Sequence, residues 1–500
     1  MSSKSIMFLG TASSVGKSTI ATAFCRYFKN KGMKVAPFKA LNISLNSYVT
    51  EDGLEMGRAQ VVQADACEIK PKDWMNPVLL KPSGNMKTQV IVNGKVKCNM
   101  DAYKYKELNK ELKEVVKDTY EKISKSYDLI ILEGSGSCAE INLRESDIAN
   151  MNMAKVSNSP VILVADIDRG GVFASVVGTI MLLDEEERNR VKGVIINKFR
   201  GNMESFKPAM RQLEEIINIP VLGAMPYFNI DLEDEDSVTE RLSNKSSDNK
   251  GLEIVIIRLP YMSNFTDFNA LTRLDNVSVR YVDKAKEIGN PHLIILPGSK
   301  NTINDLRFLK ENGIYNEILR LEKRNTTILG VCGGYQMLGD IVDDSLGVEG
   351  DKRTEKGFGL LPIRTIFNKD KITKQSSGKI ISNIIGELNN IKVYGYEIHN
   401  GKTEIINKNN IFIKLNNGEV AGAINNKGNV LGTYLHGVFE QGDFLKVFIN
   451  SLLIKNEIIK DYDEITSYTD HKLREFDKLS EILQENIDIE KVEEILNNYM

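Results

Sequence analysis

A chain of 500 residues exceeds what one ordinary hydrophobic core supports, so two or three domains are expected. Its 42% hydrophobic and 27% charged residues fit a soluble globular protein, and a net charge of −3 gives no basic footprint for nucleic acid or an anionic membrane. Five scattered cysteines without metal-ligand spacing, no signal-peptide core and no apolar run near the roughly 18 residues of a membrane span predict a cytoplasmic protein with reduced thiols.

Ser5–Leu9 reads as a short apolar strand, and Ile20–Asn30 as a helix. Between them Gly10, Thr11, Val15, Gly16, Lys17, Ser18 and Thr19 make a phosphate-binding loop, whose backbone N–H groups and helix N-terminus face phosphates. Lys17 is placed to neutralise β/γ-phosphate charge, and Ser18 to put its hydroxyl on Mg²⁺. Five residues separate Gly10 from Gly16, one more than in the common form. That variant resembles the loops of dethiobiotin synthetase and partition-type ATPases. Lys34–Phe38 is the next strand, and Asn42, Ser44 and Asn46 follow it, where open α/β sheets bind ligands. Arg58 and Gln60 open a helix whose bland reading is a solvated face; the alternative is substrate contact. Met75–Pro82 and Gln89–Gly94 read as strands and turns, and 101–126 as a charged helix. Tyr127–Leu132 is a strand ending in Glu133, a candidate Mg²⁺ carboxylate beside the loop. Three more strands follow, at Pro160–Ala165, Val194–Ile196 and Ile219–Met225. Asn197, after the second of these, is a candidate for reading an adenine edge. Repeated strand–helix units with polar strand ends predict a doubly wound, mostly parallel sheet.

Residues 239–251 have almost no apolar content and read as a linker. A second α/β pattern starts at Leu252. Leu293–Leu296 is a strand leading to a turn at Gly298, whose N–H groups are candidates for an oxyanion site. Asn325–Leu329 is a strand running into Gly330-Val331-Cys332-Gly333-Gly334-Tyr335-Gln336. A cysteine between strand and helix, flanked by glycines, is the pattern of a nucleophile elbow with sulfur in place of oxygen. The bland alternative is a buried strand-end cysteine. Of the four histidines, His436 also follows a strand, Val430–Leu435, and is the favoured base for Cys332. Residues 441–500 alternate charged and apolar positions at helical spacing and read as a helical tail. The expected domains are a phosphate-loop domain over 1–240, a Cys–His domain over 251–443 and the tail over 444–500.

Taken together, Gly10–Ser18, Asn42–Tyr48, Gly57–Gln60, Met75–Pro82, Glu133–Leu143, Asp166–Ala174, Asn264–Leu271, Leu296–Thr302, Gly330–Gly339, Gly395–Gly401 and Gly432–Glu440 form an ordered set. It resembles the cobyric acid synthase family over roughly residues 4–445. The resemblance implies a dethiobiotin-synthetase-like half that binds MgATP and a corrinoid, and a class I glutamine amidotransferase half. It implies Cys332 as nucleophile, His436 as base, Gly333 as oxyanion donor and Gln336 near the glutamine. The substrates it implies are glutamine, ATP and adenosylcobyrinic acid a,c-diamide. Two positions depart from the pattern. Val438 stands where many such glutaminases carry the orienting acid two residues after the histidine, so a Cys–His dyad is expected, with Glu440 the less favoured substitute. Leu41 stands where glutamine is expected. The paralogous cobyrinic acid a,c-diamide synthase is the alternative enzyme. A partition-type ATPase switch fits the phosphate loop but leaves Cys332 and His436 without a role.

Overall fold

The computed structural model describes residues 3–84, 87–101, 104, 107–228, 230–231, 251–350, 352–458 and 468–499. The segment read as a linker, 239–251, lies outside them except for Gly251.

The first half is a six-stranded, all-parallel sheet. Its strands are β1 (Lys4–Gly10), β2 (Val35–Phe38), β3 (Leu129–Glu133), β4 (Val161–Asp166), β5 (Val191–Phe199) and β6 (Val221–Pro226). The spatial order is β6-β5-β4-β1-β3-β2, so β1 has a neighbour on each side. Ile6, Met7, Phe8 and Leu9 are all fully buried, because helices cover both faces of a parallel sheet. The helix after the phosphate loop, α1 (Lys17–Asn30), covers one face. The helix expected over 101–126 is shorter, Asn109–Ile123, and packs on the other face. A strand, Lys95–Asp101, takes the start of the expected range. It belongs to a small four-stranded sheet with Leu41–Ile43, Val78–Gly84 and Lys87–Val92. The helix α2 (Arg58–Ala66) follows the β2 excursion.

The second half is built on β7 (Leu252–Ile257), β8 (Val277–Val282), β9 (Leu293–Leu296), β10 (Thr327–Val331) and β11 (Val430–Thr433). These run parallel in the order β8-β7-β9-β10-β11. A long antiparallel hairpin, Ile363–Ile380 with Lys392–Ile405, extends the same sheet through two short strands. The short helix α3 (Gly333–Met337) starts directly after Cys332.

The expected tail is helical among its described residues, but it divides between the halves. α4 (Phe444–Lys455) packs its phenylalanines into the second core. α5 (Tyr468–Asn486) and α6 (Ile489–Asn498) return to the first half, where Phe476, Leu479 and Leu483 join the core under α1. No helix among the described residues is long and apolar enough to cross a membrane.

Candidate active sites and the joint between them

The phosphate loop leaves β1 at Gly10 and enters α1 through Gly16, whose φ of 92° is left-handed. A side chain there would be strained, and its Cβ would lie 2.0 Å from Asn197 Nδ2. Lys17 Nζ donates to Gly136 O at 2.9 Å, so the loop and the segment after β3 face each other. Ser18 Oγ donates to Glu133 Oε1 at 2.8 Å. Glu133, 1% exposed, also accepts from Lys39 Nζ at 2.8 Å and Gln63 Nε2 at 2.6 Å. The paired, buried carboxylate satisfies the rule that a charge leaves water only with partners. Gln63, which shares a helix-like spacing with Gln60 in the sequence, is buried against Glu133 and not on a solvated face; Lys39 is not singled out from the sequence, and both come from elements remote from Glu133 along the chain. Asn197 Nδ2 donates to Val15 O at 2.8 Å, so this side chain buttresses the loop. Lys198 reaches Ser14 O and Asp166 Oδ2, each at 2.8 Å, from the same strand end. Thr11 N donates to Val164 O, and Thr19 lies in the first turn of α1.

Beside the loop lies a cavity of about 700 Å³. Its walls include Ser13, Leu41, Ile43, Leu80, Pro82 and much of the segment 135–151. Strand alternation turns Leu41 and Ile43 to the cavity and Asn42 away, where its Nδ2 donates to Gln60 Oε1 at 3.3 Å. The position that departs from the expected glutamine therefore lines this cavity.

In the second half, β10 and β11 run side by side with Val331 opposite Thr433. Their ends carry Cys332 and His436. Cys332 has φ 50° and ψ −106°, the strained turn an elbow demands, and is 6% exposed. The turn fits because Gly334 has no side chain: a Cβ there would lie 2.0 Å from Leu296 O. A Cβ on Gly333 would lie 2.8 Å from Ser299 N, and one on Gly298 3.1 Å from His436 Cε1, so the 298 turn adjoins the elbow as expected. Gln336 is fixed by Thr302 Oγ1, which donates to its Oε1 at 3.1 Å, and by Tyr434 OH at 3.3 Å. A small cavity of about 30 Å³ touches Cys332, Gln336, Ser299, Lys300 and Lys81.

His436 Nδ1 lies 2.6 Å from Asp267 Oδ2, and Gly437 N donates to Asp267 Oδ1 at 3.0 Å. Both partners are almost fully buried. Burial opposes a charge on the imidazole, but the Asp267 carboxylate and Cys332 outweigh it and push His436 up to about 10. The expected Cys–His dyad is thus corrected: a third group orients the histidine. It is not Glu440, whose Oε1 accepts from Arg58 instead. Asp267 sits 169 positions before His436 on a short turn, Phe265–Phe268, so spacing gives no sign of the pairing. The only available signal was an acid inside Asn264–Leu271.

Residues 6–237 match the model for the CobQ/CobB/MinD/ParA nucleotide binding domain, and 253–444 that for the CobB/CobQ-like glutamine amidotransferase domain. Over 498 residues the chain is 60% identical to the cobyric acid synthase of Clostridium perfringens, covering 100% of both chains. The cobyric acid synthase of Clostridium botulinum is 57% identical over 500 residues, with 99% of this chain and 100% of the relative covered. That of Alkaliphilus metalliredigens is 48% identical over 499 residues, covering 98% and 99%. The chain belongs to the cobyric acid synthase family.

In this member of the cobyric acid synthase family, the two halves meet through the residues read as substrate contacts. Asn42, Ser44, Asn46, Arg58 and Gln60 do not line the large cavity; all are buried, and two of them bond across the joint. Asn46 Oδ1 accepts from Phe265 N at 3.2 Å, and Arg58 donates to Glu440 at 2.8 Å. Ser44 Oγ accepts from Asn46 N at 3.0 Å and shapes that turn. Ser47 and Asn264 exchange hydrogen bonds at 3.3 and 3.1 Å. Glu55 lies between Lys81 of its own half and Lys371 of the other. Burial alone would raise Glu55, but the two lysines hold it well below the usual carboxylate range. Two cations then share one anion, and burial pushes Lys371 down to about 7.

Proposed function

We propose that the chain is a glutamine-hydrolysing, ATP-dependent amide ligase. It amidates carboxylates b, d, e and g of adenosylcobyrinic acid a,c-diamide and yields adenosylcobyric acid. The observation that carries the reading is the pairing, in one chain, of a Cys332–His436–Asp267 arrangement with a phosphate loop.

In the glutaminase half, Cys332 sulfur attacks the side-chain amide carbon of glutamine. His436 holds the proton that comes from the thiol and delivers it to the departing nitrogen, so ammonia leaves and a thioester remains. Asp267 fixes the ring through Nδ1 and favours the protonated imidazole that donates to the leaving group. Gly333 and the Gly298 turn are the candidate oxyanion donors. Water then cleaves the thioester, releasing glutamate and restoring the thiol.

In the synthetase half, a corrin-ring carboxylate oxygen attacks the γ-phosphorus of ATP, giving an acyl phosphate and ADP. Ammonia displaces phosphate and forms the amide. Lys17 neutralises charge on the transferring group. The adjacent Ser18 hydroxyl and Glu133 carboxylate fit Mg²⁺. These two residues would hold the ion, and Glu133 is also engaged by Lys39 and Gln63. When bound, Mg²⁺ neutralises the phosphate oxygens. The 700 Å³ cavity, bordered by Ser13 of the loop, by apolar side chains such as Leu41, Ile43 and Leu80 and by polar ones such as Lys87 and Arg144, suits a corrin ring next to the γ-phosphate.

The test is mass spectrometry of adenosylcobyrinic acid a,c-diamide after incubation with the protein, MgATP and glutamine. Four amide increments are expected, lost in Cys332→Ala and restored to that variant by ammonium. Amidation of cobyrinic acid to its diamide, with none on the diamide, would reassign the acceptor to the paralogous activity.

A further inference from the structure

The two turns that carry the acid and base of the glutaminase are each fastened by a side chain of the other half. The acid turn, Phe265–Phe268, begins with Phe265, whose N–H is held by Asn46 Oδ1 at 3.2 Å. The base turn runs from His436 to Glu440 and closes through Glu440 N donating to Gly437 O at 3.0 Å. Its far end is held by the Arg58 guanidinium on Glu440 Oε1 at 2.8 Å. The two fasteners are joined, because Arg58 N donates to Asn46 O at 3.2 Å. A ring path runs in parallel. Arg58 lies over Tyr48 at 5.4 Å, Tyr48 meets Tyr396 edge-on at 5.1 Å, and Tyr396 stacks on His436 at 5.4 Å. Arg58 opens α2, and Gln63 of the same helix donates to Glu133 beside the phosphate loop. One nine-residue helix therefore reaches Glu133 beside the phosphate loop and Glu440 on the base turn.

We infer that Asn46 and Arg58 are positioning residues of the glutaminase, supplied by the synthetase half, and that the hydrolytic site is complete only when the joint is closed. A misplacement of about 1 Å at a reacting group costs on the order of 100-fold in rate, so turns tied at both ends matter to catalysis without touching glutamine. The inference rests on the assignment of Cys332, His436 and Asp267 to glutamine hydrolysis.

The experiment measures glutamate release and, separately, ammonium-supported amidation in the full-length protein. Arg58→Ala, Asn46→Ala and Glu440→Gln should each lower kcat for glutamate release about 10- to 100-fold, with KM for glutamine within about threefold. Ammonium-supported amidation should stay within about twofold of wild type. Arg58→Lys should recover part of the loss, since it keeps the charge and loses the fork. Arg58→Ala with Glu440→Gln should be no worse than either alone. Unchanged glutamate release in all three single variants would overturn the inference. So would a parallel fall of both activities, which marks a general structural role. Glutamate release that survives Cys332→Ala would instead sink the underlying assignment.

Discussion

Asp267 shows how much one carboxylate alters a buried imidazole. His436 is 1% exposed, and burial by itself drives off its proton. With Asp267 at 2.6 Å the proton is retained up to about pH 10. The raised value also has a consequence for folding. A histidine that binds its proton more tightly when folded adds stability in full below its unfolded pKa of about 6.5, and loses it as pH rises through about 10. Asp267→Asn keeps the shape and removes the charge. Its glutaminase kcat should fall by about 10² to 10⁴, and the alkaline limit of hydrolysis should move to lower pH. A pH–rate profile of glutamate release checks both. An unchanged profile would mean that His436 is oriented by something else.

At the level of elements, the elbow depends on three backbones approaching one another. β10 lies between β9 and β11, and α3 starts against the end of β9. Gly334 N donates to Pro297 O at 3.0 Å, and its Cα leaves no room for a methyl beside Leu296 O. Gly334→Ala would therefore push α3 off β9 at a cost of about 1–3 kcal/mol, and would rotate Cys332 with it. Glutamate release should drop at least about 100-fold, while MgADP affinity at the distant phosphate loop stays unchanged. Calorimetric binding of MgADP beside a glutaminase assay separates the two effects. The strand–turn–helix grammar of both loops was readable because glycine spacing and apolar runs are local properties. The destination of Asn42, Asn46 and Arg58 was not. A polar side chain at a strand end looks the same from the sequence whether it meets a ligand or another domain.

Across the whole molecule, the C-terminal helices are the least expected part of the construction. Residues that follow the second sheet return to complete the first. Arg26 of α1 pairs with Asp477 of α5 at 2.7 Å and with Glu68 at 2.7 Å, and Phe476 is fully buried beneath. Phe476→Ala should cost about 3–5 kcal/mol in the first half and lower its thermal midpoint. MgADP should then recover part of the loss, since it binds only the folded phosphate loop. Differential scanning calorimetry with and without MgADP tests this; an unaltered midpoint would show that the tail does not stabilise that half. The sequence by itself determined the two α/β halves, the phosphate loop and the Cys332 elbow, and it pointed to His436 as the candidate base, because each rests on residues within a short span or on there being only four histidines to choose from. Only the tertiary structure decided that Asp267 pairs with His436, that Arg58 and Asn46 belong to the joint, and that the tail crosses back to α1. Those contacts join residues 169 or more positions apart, and chain folding, not local spacing, brings them within hydrogen-bond reach.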